Sequence, residues 1–444
     1  MEQNKATRLN LLDFKSVPMR TFHITWFSFF MCFFAWFGIA PLMAVVREEF
    51  GLSKQQIGTI IIASVSATVF MRLLLGWVCD RIGPRITYTL LLGLGSIPVF
   101  GITLANSYES FLIARLFIGC IGASFVLTQY HTSVMFSSKI VGTANATSAG
   151  WGNLGGGVTQ MVMPLMFTGF VALGATSSMG WRLSMIVTGI GLLVCAFLYF
   201  KFTTDYPDGN IKDFKDGNPY REVHEVEGRS SFGSVLRDYR IWLLFLIYGA
   251  CFGIELTINN VAALYYIDRF GLDLKTAGLI AGLFGVMNLF ARSLGGIWAD
   301  RFGMKRGLKG RVLFLSLILF LEGSALFLFS QMNVIYLAVF SMILFSLCVQ
   351  MAEGATFAVV PFINRKHLGL VSGIVGAGGN MGAVLFGFLF RSESLTYAEA
   401  FGILGFVVMG VSLSVPLIKF SPEKEEYEKK LVSDLLTSSA PSRS

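Results

Sequence analysis

"VFMRLLLGWVCDRIGPR" (residues 69–85) and "LFARSLGGIWADRFGMK" (residues 289–305) follow one pattern. In each, an arginine (Arg72, Arg292) stands eight residues before an Asp-Arg pair (Asp80-Arg81, Asp300-Arg301), with glycines at Gly76 and Gly296 and at Gly83 and Gly303. The match extends backwards. Phe50-Gly51-Leu52 and Gly58 recur as Phe270-Gly271-Leu272 and Gly278, always 220 residues apart. Downstream, "GTANATSAGWGNLGGG" (142–157) answers "GLVSGIVGAGGNMGA" (369–383), which sets Asn153 on Asn380 at an offset of 227. Self-similarity at fixed spacing over this length marks two copies of one structural unit.

Composition says where such a unit lives. Of 444 residues, 54% are hydrophobic and only 14% charged, and mean hydropathy is +0.66, outside the range of soluble globular domains. A helix crosses a hydrocarbon core of roughly 30 Å with about 20 apolar residues, because its backbone must satisfy its own hydrogen bonds there. Twelve blocks of about that length can be read: 21–46, 56–79, 86–105, 108–136, 141–172, 181–202, 241–267, 274–299, 312–330, 333–363, 368–391 and 397–419. The expected fold is an all-α membrane protein of twelve transmembrane helices in two pseudo-symmetric six-helix bundles. Its units would be an N-terminal segment 1–20, bundles 21–202 and 241–419, a polar linker 203–240 too charged to bury, and a tail 420–444. The segment before the first span is polar, so no cleavable signal peptide is expected.

Basic residues set the expected orientation. Lys5, Arg8, Lys15 and Arg20 precede the first span, Arg81 and Arg85 follow the second, and Arg301, Lys305, Arg306, Lys309 and Arg311 follow the eighth. Arg365 and Lys366 follow the tenth, while the alternate connections hold far fewer. Both termini should therefore face the cytoplasm. The net charge of +8 is explained by topology, without a nucleic-acid partner. Six cysteines lie in or beside apolar spans without a C-x-x-C pair and read as packing residues. The spans offer neither a metal-ligand cluster nor a nucleophile and base set, so neither an enzyme nor a cofactor is expected.

"GWVCDRIGPR" (76–85) and "GIWADRFGMKR" (296–306) resemble the loop signature of the major facilitator superfamily, present in both halves. The resemblance implies that Asp80, Arg81, Arg85, Asp300, Arg301 and Arg306 latch helix ends and gate a conformational swing. Parallel six-helix repeats are also that superfamily's architecture.

Arg72 and Arg292 lie eight residues before Asp80 and Asp300 at the helix ends, about 12 Å into the membrane. A cation at that depth costs about 3 kcal/mol even on the lenient insertion scale, and normally faces a cavity or a partner. Neither host helix offers a carboxylate one or two turns away. Two guanidiniums arriving from symmetric helices would repel unless an anion sat between them, and planar forks suit a small planar oxyanion. Asn153 and Asn380 could bind that anion or hold the arginines. The glycines around them, among which Gly152, Gly155, Gly378 and Gly379 are taken as gating positions, let helices pack closely and slide.

"AGWGNLGGGVTQ" (149–160) and its partner resemble the nitrate signature of the nitrate/nitrite porter family, closest to its eukaryotic high-affinity branch; "FGIELTINNVAALYYIDRFGL" (252–272) and "GATFAVVPFINR" (354–365) are similar to that branch too. The resemblance spans about residues 20–420. It implies import of nitrate, or nitrite, across the plasma membrane, with Arg72 and Arg292 as the binding pair and with Phe125 and Tyr248 as aromatic walls. It also implies coupling to protons, and relatives that often need a small single-span accessory protein. Glu255 is the preferred proton carrier and Glu353 the alternative, and either could instead neutralise an arginine. Glu322 is read as peripheral and His131 as a packed polar residue. Nitrate/nitrite exchange, carriage of another small anion, and a nitrate-binding membrane sensor are the competing readings.

Overall fold

The computed structural model describes residues 4–137, 140–213, 232–364, 368–423 and 425–426. Among them there is no strand, only two isolated bridges. The apolar blocks form α1 (Val17–Phe50), α2 (Lys54–Ile82), α3 (Pro84–Leu104), α4 (Tyr108–Met135), α5 (Val141–Ala172) and α6 (Ser177–Phe202), then α7 (Tyr239–Phe270). α8 is a pair, Leu274–Leu289 and Ala291–Arg306, bent by 40°. α9 (Leu308–Ser330), α10 (Ile335–Phe362), α11 (Leu370–Arg391) and α12 (Tyr397–Leu417) complete the set. Eleven single helices and one broken span thus make the twelve expected spans.

Local chemistry explains the boundaries. α1 and α7 both end on a glycine in the left-handed region, Gly51 at φ 61° and Gly271 at φ 63°, as the repeated Phe-Gly-Leu requires. Ser53 caps α2 with Gln56 in a capping box, Asp273 caps α8, and Thr396 with Glu399 caps α12. The copies diverge after the second span. Gly83 takes φ 86° and turns the chain directly into α3, whereas Gly303 stays helical and the turn waits for Gly307 at φ 67°.

Within the first half α1 packs on α5 and α6, and α3 on α6; within the second, α7 packs on α11 and α9 on α10 and α12. The halves meet along two seams, α2 with α11 and α5 with α8. With an even number of spans both termini lie on one face, here the terminal face; the other is the distal face. Toward the distal face the seams are tight: Gly157 backs onto Gly285, Gly58 onto the backbone of Arg391, and Gly387 onto Ile62. There Arg47 of α1 also makes a bidentate pair with Asp268 of α7, both contacts at 2.7 Å. The molecule is closed on its distal face.

The expected solvated linker begins differently. Thr203, Asp205 and Tyr206 are buried, because Asp205 accepts hydrogen bonds from the backbone of Arg85 (2.9 Å) and Ile211 (3.1 Å) and so ties the chain to the α2–α3 turn. Burial pushes its carboxyl upward from the ordinary value against those donors. Residues 214–231 of the linker, Arg365 and Lys366 and most of the tail lie outside the described residues.

Candidate functional site

α2 delivers Arg72 into the seam with α11, where its side chain is buried. Its NH1 donates to the Gly376 carbonyl at 2.8 Å, and a Cβ at Gly376 would come within 3.1 Å of that nitrogen, so glycine makes room for the guanidinium. One turn on, the amide of Asn380, turned oxygen-first toward these donors, accepts from Nε and NH1 at 3.1 Å and from NH2 at 3.2 Å. The Phe125 ring lies 5.4 Å from the guanidinium, in cation–π range. No carboxylate among the described residues pairs with Arg72.

Arg292 sits otherwise. Just past the break in α8, it pairs with Glu255 of α7 at 3.3 Å and with Glu353 of α10, both carboxylates fully buried. Asn288 donates to the other Glu255 oxygen at 2.8 Å. The Asn153 amide, again oxygen-first, accepts from Arg292 NH1 at 2.7 Å and NH2 at 3.0 Å. Phe252 lies 5.9 Å from this guanidinium and stacks on Tyr248 at 5.1 Å, with Phe357 edge-on to Tyr248 at 5.1 Å. Tyr248 is buried within electrostatic reach of both arginines.

Two readings left open by the sequence take definite form here. The arginines are not both without protein carboxylates: Arg292 has two, because α7 and α10 bring acids that its own helix lacks. The asparagines hold the arginines crosswise, Asn153 of the first half on Arg292 of the second, and Asn380 of the second on Arg72 of the first.

The four singled-out glycines pack inside their own halves: Gly152 against the Phe29 ring and Gly155 against the Phe30 carbonyl on α1, Gly378 against the Phe245 carbonyl and Gly379 against Phe252 on α7. They seat α5 and α11 so that Asn153 and Asn380 face the seams. Contact between halves falls instead to other glycines of the same segments, among them Gly150, Gly157, Gly376 and Gly387.

At the terminal face, Asp80 is exposed at the end of α2, Arg81 covers Trp77 at 3.8 Å and Arg301 covers Trp298 at 5.3 Å. Arg85 donates to the Phe200 carbonyl at 2.9 Å, Asp300 pairs with Arg311 of α9, and Arg306 ends α8. Glu322 is not peripheral: it is fully buried, with neither carboxyl oxygen hydrogen-bonded, on a helix that packs against α8, α10 and α12. His131 uses both ring nitrogens, toward the Tyr199 hydroxyl at 2.5 Å and the Thr204 carbonyl at 2.8 Å. Phe252, Gly376 and a third buried arginine, Arg115, were not singled out by sequence. Arg115 could have been found by the same depth count that found Arg72. Among the described residues no three His, Cys, Asp or Glu side chains converge as a metal would need.

A family model described as the Major Facilitator Superfamily matches residues 25–361 and 256–441. A D-xylose–proton symporter of known structure superposes with a TM-score of 0.68 over 92% of this chain and 99% of its own, at 16% identity, a likeness of fold. Among curated proteins, "High affinity nitrate transporter 2.5" of Arabidopsis thaliana is 42% identical over 94% of this chain and 82% of its own length. "High-affinity nitrate transporter 2.3" of rice (Oryza sativa subsp. japonica) is 40% identical over 94% and 80%. The chain belongs to the Major Facilitator Superfamily and, within it, to the family of high-affinity nitrate transporters.

Proposed function

We propose that this protein imports nitrate, with nitrite as a second substrate, by alternating access coupled to protons. The observation that carries the reading is Arg72: a buried permanent cation held, among the described residues, by neutral carbonyl oxygens and an aromatic face. Its desolvation is only partly offset by such partners, and a planar monovalent oxyanion on the guanidinium's edge would supply the missing charge. Arg72 binds the anion, Asn380 positions the fork, and Phe125 and Tyr248 wall the site. Arg292 and Asn153 complete it from the other half.

The acids supply the coupling. With Glu255 and Glu353 ionised, they cancel Arg72 and Arg292, and nothing in the local charge favours an anion. One proton on either acid leaves a surplus of +1, which a nitrate neutralises. Anion and proton thus load together: either alone leaves the site charged, whereas both together, like neither, leave it neutral for the halves to swing. An energy source is required, because a monovalent anion enters a negative cell against about 2.3 kcal/mol per 100 mV.

In this reading the terminal face is cytoplasmic, the protein resides in the plasma membrane, and the structure represents the state closed to the outside. The bundles 21–202 and 241–419 are the moving bodies. The loops bearing Asp80, Arg81, Arg85, Asp300, Arg301 and Arg306 latch the cytoplasmic side, and the four seating glycines hold the asparagines while the halves move. Labelled-nitrate uptake into proteoliposomes tests this, with an imposed pH gradient in one arm and internal nitrite in the other. Stimulation by the gradient alone supports symport; stimulation by internal nitrite alone would mean exchange; no uptake in either arm would sink the reading.

A further inference from the structure

Arg115 of α4 is 1% exposed and, among the described residues, no carboxylate pairs with it. Its NH1 donates to the Trp36 carbonyl at 2.8 Å, just before the 3-10 turn Ala40–Leu42 interrupts α1. Its NH2 donates to the Asn260 side-chain oxygen at 3.2 Å, and its Nε has no partner. Asn260 belongs to α7, in the opposite half. Ser64 of α2 donates to the same Asn260 oxygen at 3.4 Å.

This repeats the arrangement at the centre. Arg72 with Asn380, Arg292 with Asn153 and Arg115 with Asn260 are each a buried guanidinium clasped by an asparagine of the other half. The third clasp sits nearer the distal face. Ser64 is eight residues before Arg72 on α2, and Asn260 five residues after Glu255 on α7, which places the clasp about 8–12 Å distal to the arginine pair. On that turn Asn259, also buried, has neither side-chain nitrogen nor oxygen bonded, and the Gln160 oxygen is likewise unbonded. Neutral side chains would satisfy the Trp36 carbonyl without the desolvation that a guanidinium costs. Separation of the halves at the distal face would withdraw Asn260 and leave Arg115, among the partners described, with the Trp36 carbonyl of its own half.

We propose that Arg115 is a distal anion station: when the distal face opens it takes a small monovalent oxyanion from solution, and Asn260 displaces that anion toward Arg72 on closure. This rests on the transport reading above. Charge-lined clefts raise anion capture by tenfold or more, in a manner that salt screens.

Initial rates of labelled-nitrate uptake into proteoliposomes test it. Arg115→Gln keeps a donor for Trp36 but removes the charge; the expected result is a KM raised about tenfold, a maximal rate within about twofold, and a KM that no longer climbs with added sodium gluconate. Arg115→Lys should recover KM to within about threefold. An unchanged KM in Arg115→Gln overturns the station, as does an equal rise in the Gln and Lys variants, which would make Arg115 a helix fastener. If Arg115→Gln fails to assemble, Asn260→Asp keeps the arginine and occupies it with an internal carboxylate; KM should rise similarly, and an unchanged KM overturns the station. Absence of nitrate uptake in the unsubstituted protein would bring down the transport reading itself, which a change confined to Arg115 variants cannot do.

Discussion

Arg72 and Arg292 hold the same position in two copies of one unit, yet their surroundings differ in charge. The first has a glycine carbonyl, an asparagine and a phenyl face. The second has an asparagine, a phenyl face and two buried carboxylates. The repeat sets where each cation stands; acids on α7 and α10, remote in sequence, set what surrounds the second. Under the proposed transport cycle this difference would divide labour: the first half would keep a cation open to an anion, and the second one whose neutrality a proton can alter.

The strongest way to break this comparison is Arg72→Lys. It retains charge and loses the fork, so about two charge-assisted hydrogen bonds disappear, and nitrate KM should rise on the order of 100-fold with surface expression intact. Unchanged KM in uptake assays would remove Arg72 from the site. Next is Glu353→Gln. Wild-type uptake should fall as external pH rises, since the proton-loaded acid is the competent form; the glutamine mimics that form permanently. Nitrate binding should then lose its pH dependence, and the accumulation driven by a one-unit pH gradient should drop about tenfold. A pH profile that still parallels wild type would return proton loading to Glu255 or elsewhere.

Gly157→Ala sharpens the comparison along the other seam. A Cβ there would fall 2.6 Å from the Gly285 Cα, so closure at the distal face should be obstructed and turnover reduced roughly tenfold, while binding from the distal side survives. Cysteine-labelling of distal-face positions reads the shift in state; normal turnover would mean the helices simply part. The smallest effect belongs to Asp268→Asn. Its pair with Arg47 is about one-third exposed, a class worth at most about 1 kcal/mol, so turnover should change by less than about fivefold. A larger change would promote this pair from a surface contact to a principal gate.

Much of this architecture could be read from the chain. Apolar lengths gave the spans, and the 220-residue echo gave the halves, because helix ends, glycine caps and loop charges are local properties. Arg72, Arg292, Asn153 and Asn380 were readable as intramembrane polar residues in matched places. Their crosswise partnership was not, since an offset says which residues correspond and nothing about which ones touch. Glu255 and Glu353 were readable as intramembrane acids able to neutralise an arginine, but their convergence on Arg292 was not: they sit on other helices, 37 and 61 positions away, and only packing brings them together. Glu322 shows the limit of hydropathy, which tells that a helix is apolar but not which side of it meets protein. The buried start of the linker was hidden likewise, because polar composition is compatible with either water or a set of backbone donors such as Arg85 and Ile211 offer to Asp205.

The crossed clasps also say something about the two halves. A lone six-helix module bearing one arginine and one asparagine could satisfy neither by itself, since each reaches across to the other module. Two identical modules facing each other about a twofold axis would make both contacts at once, as a self-complementary interface does. The geometry is thus that of a self-complementary interface inside a single polypeptide, from which the second module departs by bearing Glu255 and Glu353.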